Sequence, residues 1–529
     1  MVWKIFKSLI LLLLIILAAF AWWLQPERVA DEVIFTGGNI ITVNDAAPTA
    51  QAVLVQNGVI TAVGKFVDVQ AKAGGADIID LDGKTMVPGL IEPHTHAVAS
   101  ALLGAIVDIS GFTHRSRAAV MATLENAVDE AGISPWVVAF GWDPVVVDDL
   151  TPPTLAELDA LSPNRPLVIL TQMMHEAYIN SAAMTAAGMT GDTPDPAHGS
   201  FRRDENGELT GVINEIGAVN YVFAAMPATP DIAIEFLTSL QMQKYARAGY
   251  TTVAVVGVTG RTQDDMAMLS RLAHRASQPV RLRAYERVAS GKLPSAGGDN
   301  YFQMLGMKFW LDGSPFAGGA AWAEPYENSA LMQDRLGLPK DHMAQLNYND
   351  EELNKLVTGF HKAGHQLSFH VQGERAVDQA LNAVEAALMA HPRADHRHRM
   401  EHAALITKKQ LERAHGLGMT VSFFIDHIYY YGDKLPYIVG NERLKRYMPM
   451  KTAEDTGMKI SLHGDHPATP IDPFRSYGSA TTRTGFVSGN LVGESEKLSR
   501  LSALKAMTIH AAWQLGMEQD IGSIEVGRG

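Results

Sequence analysis

The chain has no cysteine, and its basic residues are fewer than its acidic ones. Among 529 residues there are 44 lysines and arginines against 57 aspartates and glutamates, so the formal net charge is −13 at pH 7. The absence of cysteine excludes disulfides, thiolate metal sites and cysteine nucleophiles, and it leaves the cellular compartment open. The negative charge argues against nucleic acid as a partner, because neutralising phosphates requires basic clusters. Any metal must be held by imidazole and oxygen ligands, which suits zinc and other divalent ions.

Residues 1–26 differ in character from the rest of the chain. Two lysines precede an uninterrupted apolar run from Leu9 to Leu24, which is slightly shorter than the roughly 20 residues of a spanning helix. The segment is either a cleaved secretory signal, with a cleavage site at Ala19-Phe-Ala21, or an uncleaved anchor. Trp22 and Trp23, placed at the membrane interface, favour the anchor. We therefore expect the protein to be membrane-anchored on the extracytoplasmic (periplasmic) side, or secreted if the signal is cleaved.

Two histidines end an apolar run that begins at Met86. Side chains at positions i and i+2 point to the same face of a β-strand. His94 and His96 therefore converge at the end of a predicted strand, and two converging imidazoles form half of a metal site. An isolated pair at this spacing is more often two hydrogen-bonded surface histidines. The metal prediction thus depends on finding further ligands.

The chain reads as an α/β protein with a small β-domain and a (β/α)₈ TIM barrel. Short strands separated by Gly and Asn turns predict the β-domain, of β-sandwich type, over residues 32–85. Seven further β-rich runs follow, at residues 251–256, 280–285, 307–311, 366–370, 398–402, 420–424 and 459–463. With the strand that ends at His94 they make eight, and helical stretches separate most of them, which is typical of a (β/α)₈ barrel.

These patterns predict the domain boundaries. We expect the barrel over residues 86–510, with a long insertion at about residues 102–247 that carries selectivity. Residues 511–529 are expected to return towards the small β-domain and to be truncated at Gly529.

Further residues of metal-binding type fall at the carboxyl ends of the predicted strands, where a barrel carries its active site. They are Lys308 on the fourth strand, His370 at the end of the fifth, His402 at the end of the sixth, and Asp465 after the eighth. Each has a structural alternative: an ion pair with Asp312 for the lysine, a satisfied polar residue or a turn contact for the histidines, and a helix cap for the aspartate. Because all of them fall at the right ends of the right strands, the pattern favours a metal site.

On these residues the chain resembles the amidohydrolase superfamily, and within it the amidohydrolase family 3 branch, which includes N-substituted formamide deformylase-like enzymes. The resemblance covers Glu32 to Gly529. Its motifs are Val87-Pro-Gly-Leu-Ile-Glu-Pro-His-Thr-His96, Gly249-Tyr-Thr-Thr-Val253, Met307-Lys-Phe-Trp-Leu-Asp-Gly-Ser314, Phe369-His-Val-Gln-Gly-Glu-Arg-Ala376, Glu401-His402, Gly464-Asp465 and Gly522-Ser-Ile-Glu-Val-Gly527.

The resemblance implies a role for each matching residue. His94 and His96 would bind the more buried of two metals, and His370 and His402 would bind the second. Lys308 matches a lysine that is carboxylated in some members and then bridges the metals. Asp465 would contact a metal and shuttle the proton. The metal is expected to be divalent, zinc above others, as one or two ions.

The implied activity is hydrolysis of a non-peptide carbon–nitrogen bond, such as an amide or N-formyl bond, in a small molecule. Two alternatives stay open: hydrolysis of a cyclic amide or an ester on the same fold, and a non-catalytic binding or regulatory protein built on the barrel. The sequence is also compatible with a homo-oligomer.

Four residues are candidates for contact with the substrate. His175 would donate a hydrogen bond to a developing oxyanion, although a histidine after an apolar strand is more often structural. Trp142 and Glu215 lie in the insertion, where the family's substrate loops are. His427 follows the seventh strand close to three tyrosines, where packed aromatic rings are an equally good interpretation.

Overall fold

The structure, a computed structural model, describes residues 30–174, 176–196, 199–258, 264–291 and 295–529. This part of the chain forms two compact units, residues 30–87 together with Ile524–Gly529, and Pro88–Ser523. No helix among the described residues is long and apolar enough to cross a membrane. The predicted signal or anchor, residues 1–26, lies outside the described residues and stays a prediction.

The first unit is a five-stranded β-sheet with one short helix. Its elements are β1 (Glu32–Ile41), β2 (Thr49–Gln56), β3 (Val59–Gly64), α1 (Phe66–Gln70), β4 (Asp77–Asp80) and β5 (Thr85–Met86). β1 pairs antiparallel with β2 and parallel with β4 and β5. The end of the chain joins this sheet, since Ile524 N donates to Thr42 O at 2.8 Å. Ile524 packs with Ile40 and Val53 in its core.

The second unit begins with a buried strand and continues into the insertion. The elements of this part are β6 (Leu90–Thr95), α2 (Ala97–Leu103), β7 (Val107–Asp108), α3 (Arg117–Glu130), β8 (Val137–Trp142), α4 (Leu155–Leu161), β9 (Leu167–Thr171), β10 (Glu176–Ile179), α5 (Ser181–Ala186), β11 (Ser200–Arg203), β12 (Leu209–Asn214), α6 (Glu215–Ala224) and α7 (Asp231–Arg247). The insertion forms its own six-stranded sheet in the order β11-β12-β10-β9-β8-β7. Hydrophobic clusters that include Trp142 and Phe140 pack on its two faces.

The rest of the second unit completes the barrel. Its elements are β13 (Tyr250–Val256), α8 (Asp265–Ala273), β14 (Arg281–Arg287), β15 (Gly297–Gly298), β16 (Phe302–Trp310), α9 (Asp350–Lys362), β17 (Gln366–Val371), α10 (Glu374–Ala390), β18 (Arg399–His402), α11 (Lys408–Gly416), β19 (Thr420–Phe424), α12 (Asp426–Tyr431), α13 (Pro436–Leu444), α14 (Met450–Asp455), β20 (Ser461–His463), α15 (Pro473–Thr482), α16 (Arg500–Ala506) and α17 (Ile509–Gln514). Short 3₁₀ turns lie at Val288–Ser290, Pro315–Ala317 and Glu494–Glu496, and a π-helical turn at Leu331–Arg335.

Eight parallel strands follow one another in the order β6-β13-β14-β16-β17-β18-β19-β20, and β15 adds an antiparallel edge to β16. The two ends of this sheet meet, since Gly464 N donates to Glu92 Oε2 at 3.3 Å and His96 N donates to His466 O at 3.0 Å. β13 is buried along nearly its whole length, as expected for a parallel strand that is covered on both faces. The predicted (β/α)₈ barrel is therefore confirmed.

Three buried histidines form a neutral hydrogen-bonded network at the amino end of the barrel strands, away from the predicted metal residues. His398 Nδ1 accepts from Leu367 N at 3.0 Å, so its Nε2–H donates to His361 Nδ1 at 2.8 Å. His396 Nδ1 accepts from His398 N at 3.0 Å. The Nε2–H groups of His361 and His396 donate to backbone carbonyls at 2.7 and 2.8 Å. Protonating any of these rings would place a donor against a donor.

This network predicts a loss of stability in acid. Burial lowers the pKa of His396 from 6.5 to about 4 and lowers that of His398 well below 6.5, and the nearby Arg393 guanidinium acts in the same direction. Below pH 6.5 the unfolded chain therefore binds more protons than the folded chain, and stability falls as the pH falls. In His398→Gln we expect the free energy of unfolding to depend less steeply on pH, by up to about 1.4 kcal/mol per pH unit.

Urea unfolding of both proteins at a series of pH values measures this difference in slope. His274→Gln is the control. The Asp299 carboxylate raises the pKa of this exposed histidine, so removing His274 should change the slope of stability against pH in the opposite direction to His398→Gln. Equal slopes for the wild type and His398→Gln would contradict the prediction.

Candidate active site

The first predicted histidine pair meets Lys308 and Asp465 at the carboxyl end of the barrel. His94 Nε2 lies 3.3 Å from Lys308 Nζ and 3.4 Å from Asp465 Oδ1, and His96 Nε2 lies 3.3 Å from the same oxygen. The rings of His94 and His96 have centroids 5.4 Å apart, as their spacing at the end of β6 predicts. His94 and Lys308 are completely buried, and the side chains of His96 and Asp465 are each 12% exposed.

The second histidine pair lies on the other side of the same carboxylate. The ring centroids of His370 and His402 are 4.4 Å apart. His402 Nδ1 lies 4.0 Å from Asp465 Oδ2, and His370 Nε2 lies 3.7 Å from Asp312 Oδ1. Asp465 therefore faces the first pair with one oxygen and His402 of the second pair with the other. The structure thus brings together all six residues predicted as ligands.

A buried carboxylate behind His94 fixes the orientation of its ring. Glu401 Oε2 accepts from His94 Nδ1 at 2.8 Å and from Arg399 Nη2 at 3.0 Å, while Oε1 accepts from Ser368 Oγ at 2.8 Å. With its proton held at Nδ1, His94 presents the lone pair of Nε2 to Lys308 and Asp465. A carboxylate that orients a histidine in this way is common behind metal ligands. Glu401 therefore pairs with His94, and not with its neighbour His402.

Left-handed backbone conformations occur at the ends of the strands that carry the site. His402 has φ 71° and Asp465 has φ 51°, values that non-glycine residues adopt at a cost. Gly257, with φ 75°, directly follows β13. A Cβ atom at Gly257 would lie 2.9 Å from Lys308 Cγ and 2.4 Å from Trp310 Cη2, so only glycine allows this approach. Strain of this kind is concentrated where side chains are aimed at a site.

Burial and neighbouring charge determine the ionisation of these residues. Burial, together with the charge of Lys308, lowers the pKa of His94 well below 6.5 and that of His96 to about 3. Both rings are therefore neutral and carry lone pairs. Burial also lowers the pKa of the Lys308 amine and raises that of the Asp465 carboxyl.

The donor set fits a divalent cation. Asp465 Oδ1 is buried and makes no hydrogen bond within the described part of the chain, although two imidazole Nε2 atoms lie within 3.4 Å of it. Three electron-pair donors that face one point repel one another unless a cation lies between them. Imidazole nitrogen and carboxylate oxygen are ligands that suit zinc and related divalent ions.

Two of the predicted substrate residues line one cavity. The cavity, of about 350 Å³, is lined by Trp142, Glu215 and Phe316 among others. Gln172, also in its wall, donates to Pro467 O at 3.1 Å and to Ala468 O at 3.0 Å, two and three residues after Asp465. Trp142 is fully buried, whereas Glu215 is exposed and has φ 65°.

Neither of the other two predicted substrate residues is among the described residues that line this cavity. His427 is buried, with Nδ1 3.0 Å from Tyr447 Oη and its ring 4.1 Å from that of Phe424 and 4.7 Å from that of Phe316. Among these aromatic neighbours, burial lowers its pKa to about 3. Its contacts match the packed-aromatic interpretation. His175 lies outside the described residues, so its position stays a prediction.

Reasoning from the sequence missed two residues of the site. His463 stacks on His94 with ring centroids 4.7 Å apart. Glu92 accepts from His94 N at 3.2 Å, and burial raises its pKa to about 8. Each precedes a predicted ligand by two positions, so the same-face rule that paired His94 with His96 was the available signal.

Comparison with known proteins places the chain in a family. A model of the amidohydrolase family matches residues 77–528. The chain belongs to the amidohydrolase family. Among similar proteins, the N-substituted formamide deformylase of Arthrobacter pascens is 29% identical over 520 residues, which are 94% of this chain and 92% of the relative. The exoenzymes regulatory protein AepA of Pectobacterium carotovorum subsp. carotovorum is 27% identical over 68% of this chain and 77% of its own length.

Comparison with solved structures supports the assignment of the fold. The crystal structure of an uncharacterized metal-dependent hydrolase from Pyrococcus horikoshii OT3 superposes with a TM-score of 0.72 at 22% identity, covering 94% of this chain and 95% of that one. The family and the donor set together support a hydrolase with a divalent metal.

Replacing Glu401 by glutamine should weaken metal binding. The amide cannot accept from His94 Nδ1 and Arg399 with a full negative charge, and it leaves a buried guanidinium without a counter-ion. We expect divalent metal affinity to fall by about 10–100-fold, the usual effect of losing a carboxylate behind a ligand. Competition with a chelator measures it. The exposed Glu412→Gln is the control, and equal affinities of the two variants would contradict the role of Glu401.

Proposed function

We propose that the protein is a metal-dependent hydrolase that cleaves a non-peptide carbon–nitrogen bond with water, using Asp465 as the proton shuttle. The observation that carries the proposal is the Asp465 carboxylate, which faces His94 and His96 with one oxygen and His402 with the other. His94 and His96 would hold the more buried ion, and His370 and His402 a second. Zinc suits these ligands best.

Asp465 is placed to move a proton between water and the leaving nitrogen. A bound divalent ion polarises a carbonyl and lowers the pKa of water towards about 7. The carboxylate takes a proton as water attacks the carbonyl carbon, and it returns that proton to the nitrogen as the carbon–nitrogen bond breaks. Burial raises the pKa of this carboxyl, whereas the charge of a bound divalent ion would lower it.

The cavity lined by Trp142, Glu215 and Phe316 is the proposed place for the rest of the substrate. Trp142 and Phe316 offer aromatic surface there, and Glu215 offers a carboxylate. His175 is proposed to donate to the developing oxyanion. The deformylase relative favours N-formyl and other N-substituted amides as the substrate class.

A chelation experiment tests the proposed function. Dialysis against a chelator should abolish hydrolysis across a panel of N-formyl compounds, amides, cyclic amides and esters, and added zinc should restore it. Asp465→Asn should lower kcat by about 10²–10⁴-fold, the range for loss of a general acid–base group. Asp472→Asn, a change at a nearby helix cap, is the control.

Two outcomes decide against the proposal. Activity that survives both chelation and His94→Ala would exclude metal-dependent hydrolysis. Freshly purified protein without bound metal and without activity on any compound would favour a regulatory protein, an alternative supported by the relative AepA. Product analysis separates amide from ester cleavage, because only the former releases an amine.

Lys308 is proposed to carry a carboxylate formed from carbon dioxide. Its amine lies 3.3 Å from His94 Nε2 in a completely buried position, where an ammonium would repel a divalent ion. Attack of the neutral amine on carbon dioxide forms a nitrogen–carbon bond and releases one proton, and it leaves a carbamate whose oxygens can bind metal.

Native mass spectrometry of the metal-loaded protein should show the added mass of one carbon dioxide per chain. This added mass should be absent in Lys308→Met. Lys340→Met, a change at an exposed lysine, is the control and should keep the added mass. Metal-loaded protein of unmodified mass would exclude carboxylation.

A further inference from the structure

His463 lies inside the site, although no motif assigns it a role. It ends β20 and is 1% exposed. Its Nδ1 lies 2.8 Å from Ser422 Oγ, and its Nε2 lies 3.1 Å from His402 Nδ1. Both ring nitrogens therefore have a partner within hydrogen-bonding distance.

Two rings hold His463 in this orientation. Its plane stacks on that of His94, with centroids 4.7 Å apart at 18°, and on that of Phe424, with centroids 5.4 Å apart at 26°. A ring packed in this way cannot turn without displacing a neighbour. The contact between His463 and His402 is thus set by packing as well as by hydrogen bonding.

The proton positions in this chain of three groups follow from the proposed role of His402. A neutral imidazole carries one proton, so a ring that offers the lone pair of Nε2 to a metal carries its proton on Nδ1. His402 Nδ1–H then donates to His463 Nε2. The proton of His463 is consequently on Nδ1, and Ser422 Oγ accepts it. With this arrangement both nitrogens of His463 are used, and its one available lone pair, on Nε2, accepts from His402 and does not bind a metal.

We propose that His463 is a positioning residue that accepts the Nδ1–H of His402 and so aims His402 Nε2 at the metal. His463 would serve His402 as Glu401 serves His94. The inference rests on the proposed function, since it requires His402 to be a metal ligand.

Three variants of the full chain test whether His463 acts by accepting the hydrogen bond from His402, by packing, or by binding a metal. His463→Leu has a similar volume and cannot accept a hydrogen bond. His463→Gln keeps an acceptor oxygen. Ser422→Ala removes only the hydroxyl at the outer end. Each apoprotein is titrated with zinc in competition with a chelator, and bound metal per chain is counted by elemental analysis.

We expect His463→Leu to bind zinc about 10–100-fold more weakly than the wild type, as is usual when a partner of a metal-bound histidine is lost. The zinc affinity of His463→Gln should fall by less than about tenfold. The zinc affinity of Ser422→Ala should also fall, by a smaller factor than that of His463→Leu. The number of metals at saturation should stay the same in all three.

Other results would overturn the inference. Wild-type affinity in His463→Leu would make His463 a packing residue only. Loss of one metal at saturation, in both His463→Leu and His463→Gln, would make it a ligand. Should His463→Leu not fold, unchanged affinity in Ser422→Ala decides against the proposal. A wild type that binds no divalent ion would instead overturn the proposed function, which the count of metals shows directly.

Discussion

The buried carboxylate of Glu401 holds the centre of the barrel together. It accepts from His94, Arg399 and Ser368, three groups on three different strands, and none of the four has access to water. A buried charge is tolerated only when it is paired and fully hydrogen-bonded. The same contacts that satisfy this charge also aim His94 at the site, so stability and function depend on one interaction.

Closure of the barrel brings the first and last strands into one site. β6 carries His94, and His96 directly follows it. Asp465 follows β20, more than 360 residues later in the chain. Glu92 accepts from Gly464 N, and His96 N donates to His466 O, so the backbone of both strand ends is linked. Asp465 has a left-handed conformation, and its carboxylate faces His94, His96 and His402. Strain at this residue persists because the neighbouring contacts determine its conformation.

Much of this arrangement was predictable, since its determinants are local. Strand periodicity and the spacing of His94 and His96 predict where side chains point, and parallel strands place their carboxyl ends on one side of the barrel. The positions of Lys308, His370, His402 and Asp465 followed from the same rule. For His427 the sequence left two interpretations, because nothing local distinguishes a histidine in a binding site from one packed among aromatic rings.

The sequence by itself determined the barrel, the family and the residues that converge at its mouth, because periodicity and motif spacing are properties of short segments. Only the tertiary structure decided which groups orient those residues. Glu401 pairs with His94 across 307 positions of the chain, and His463 reaches His402 across 61. Such pairs depend on the register of strands within the closed barrel, and no pattern within a single strand specifies that register.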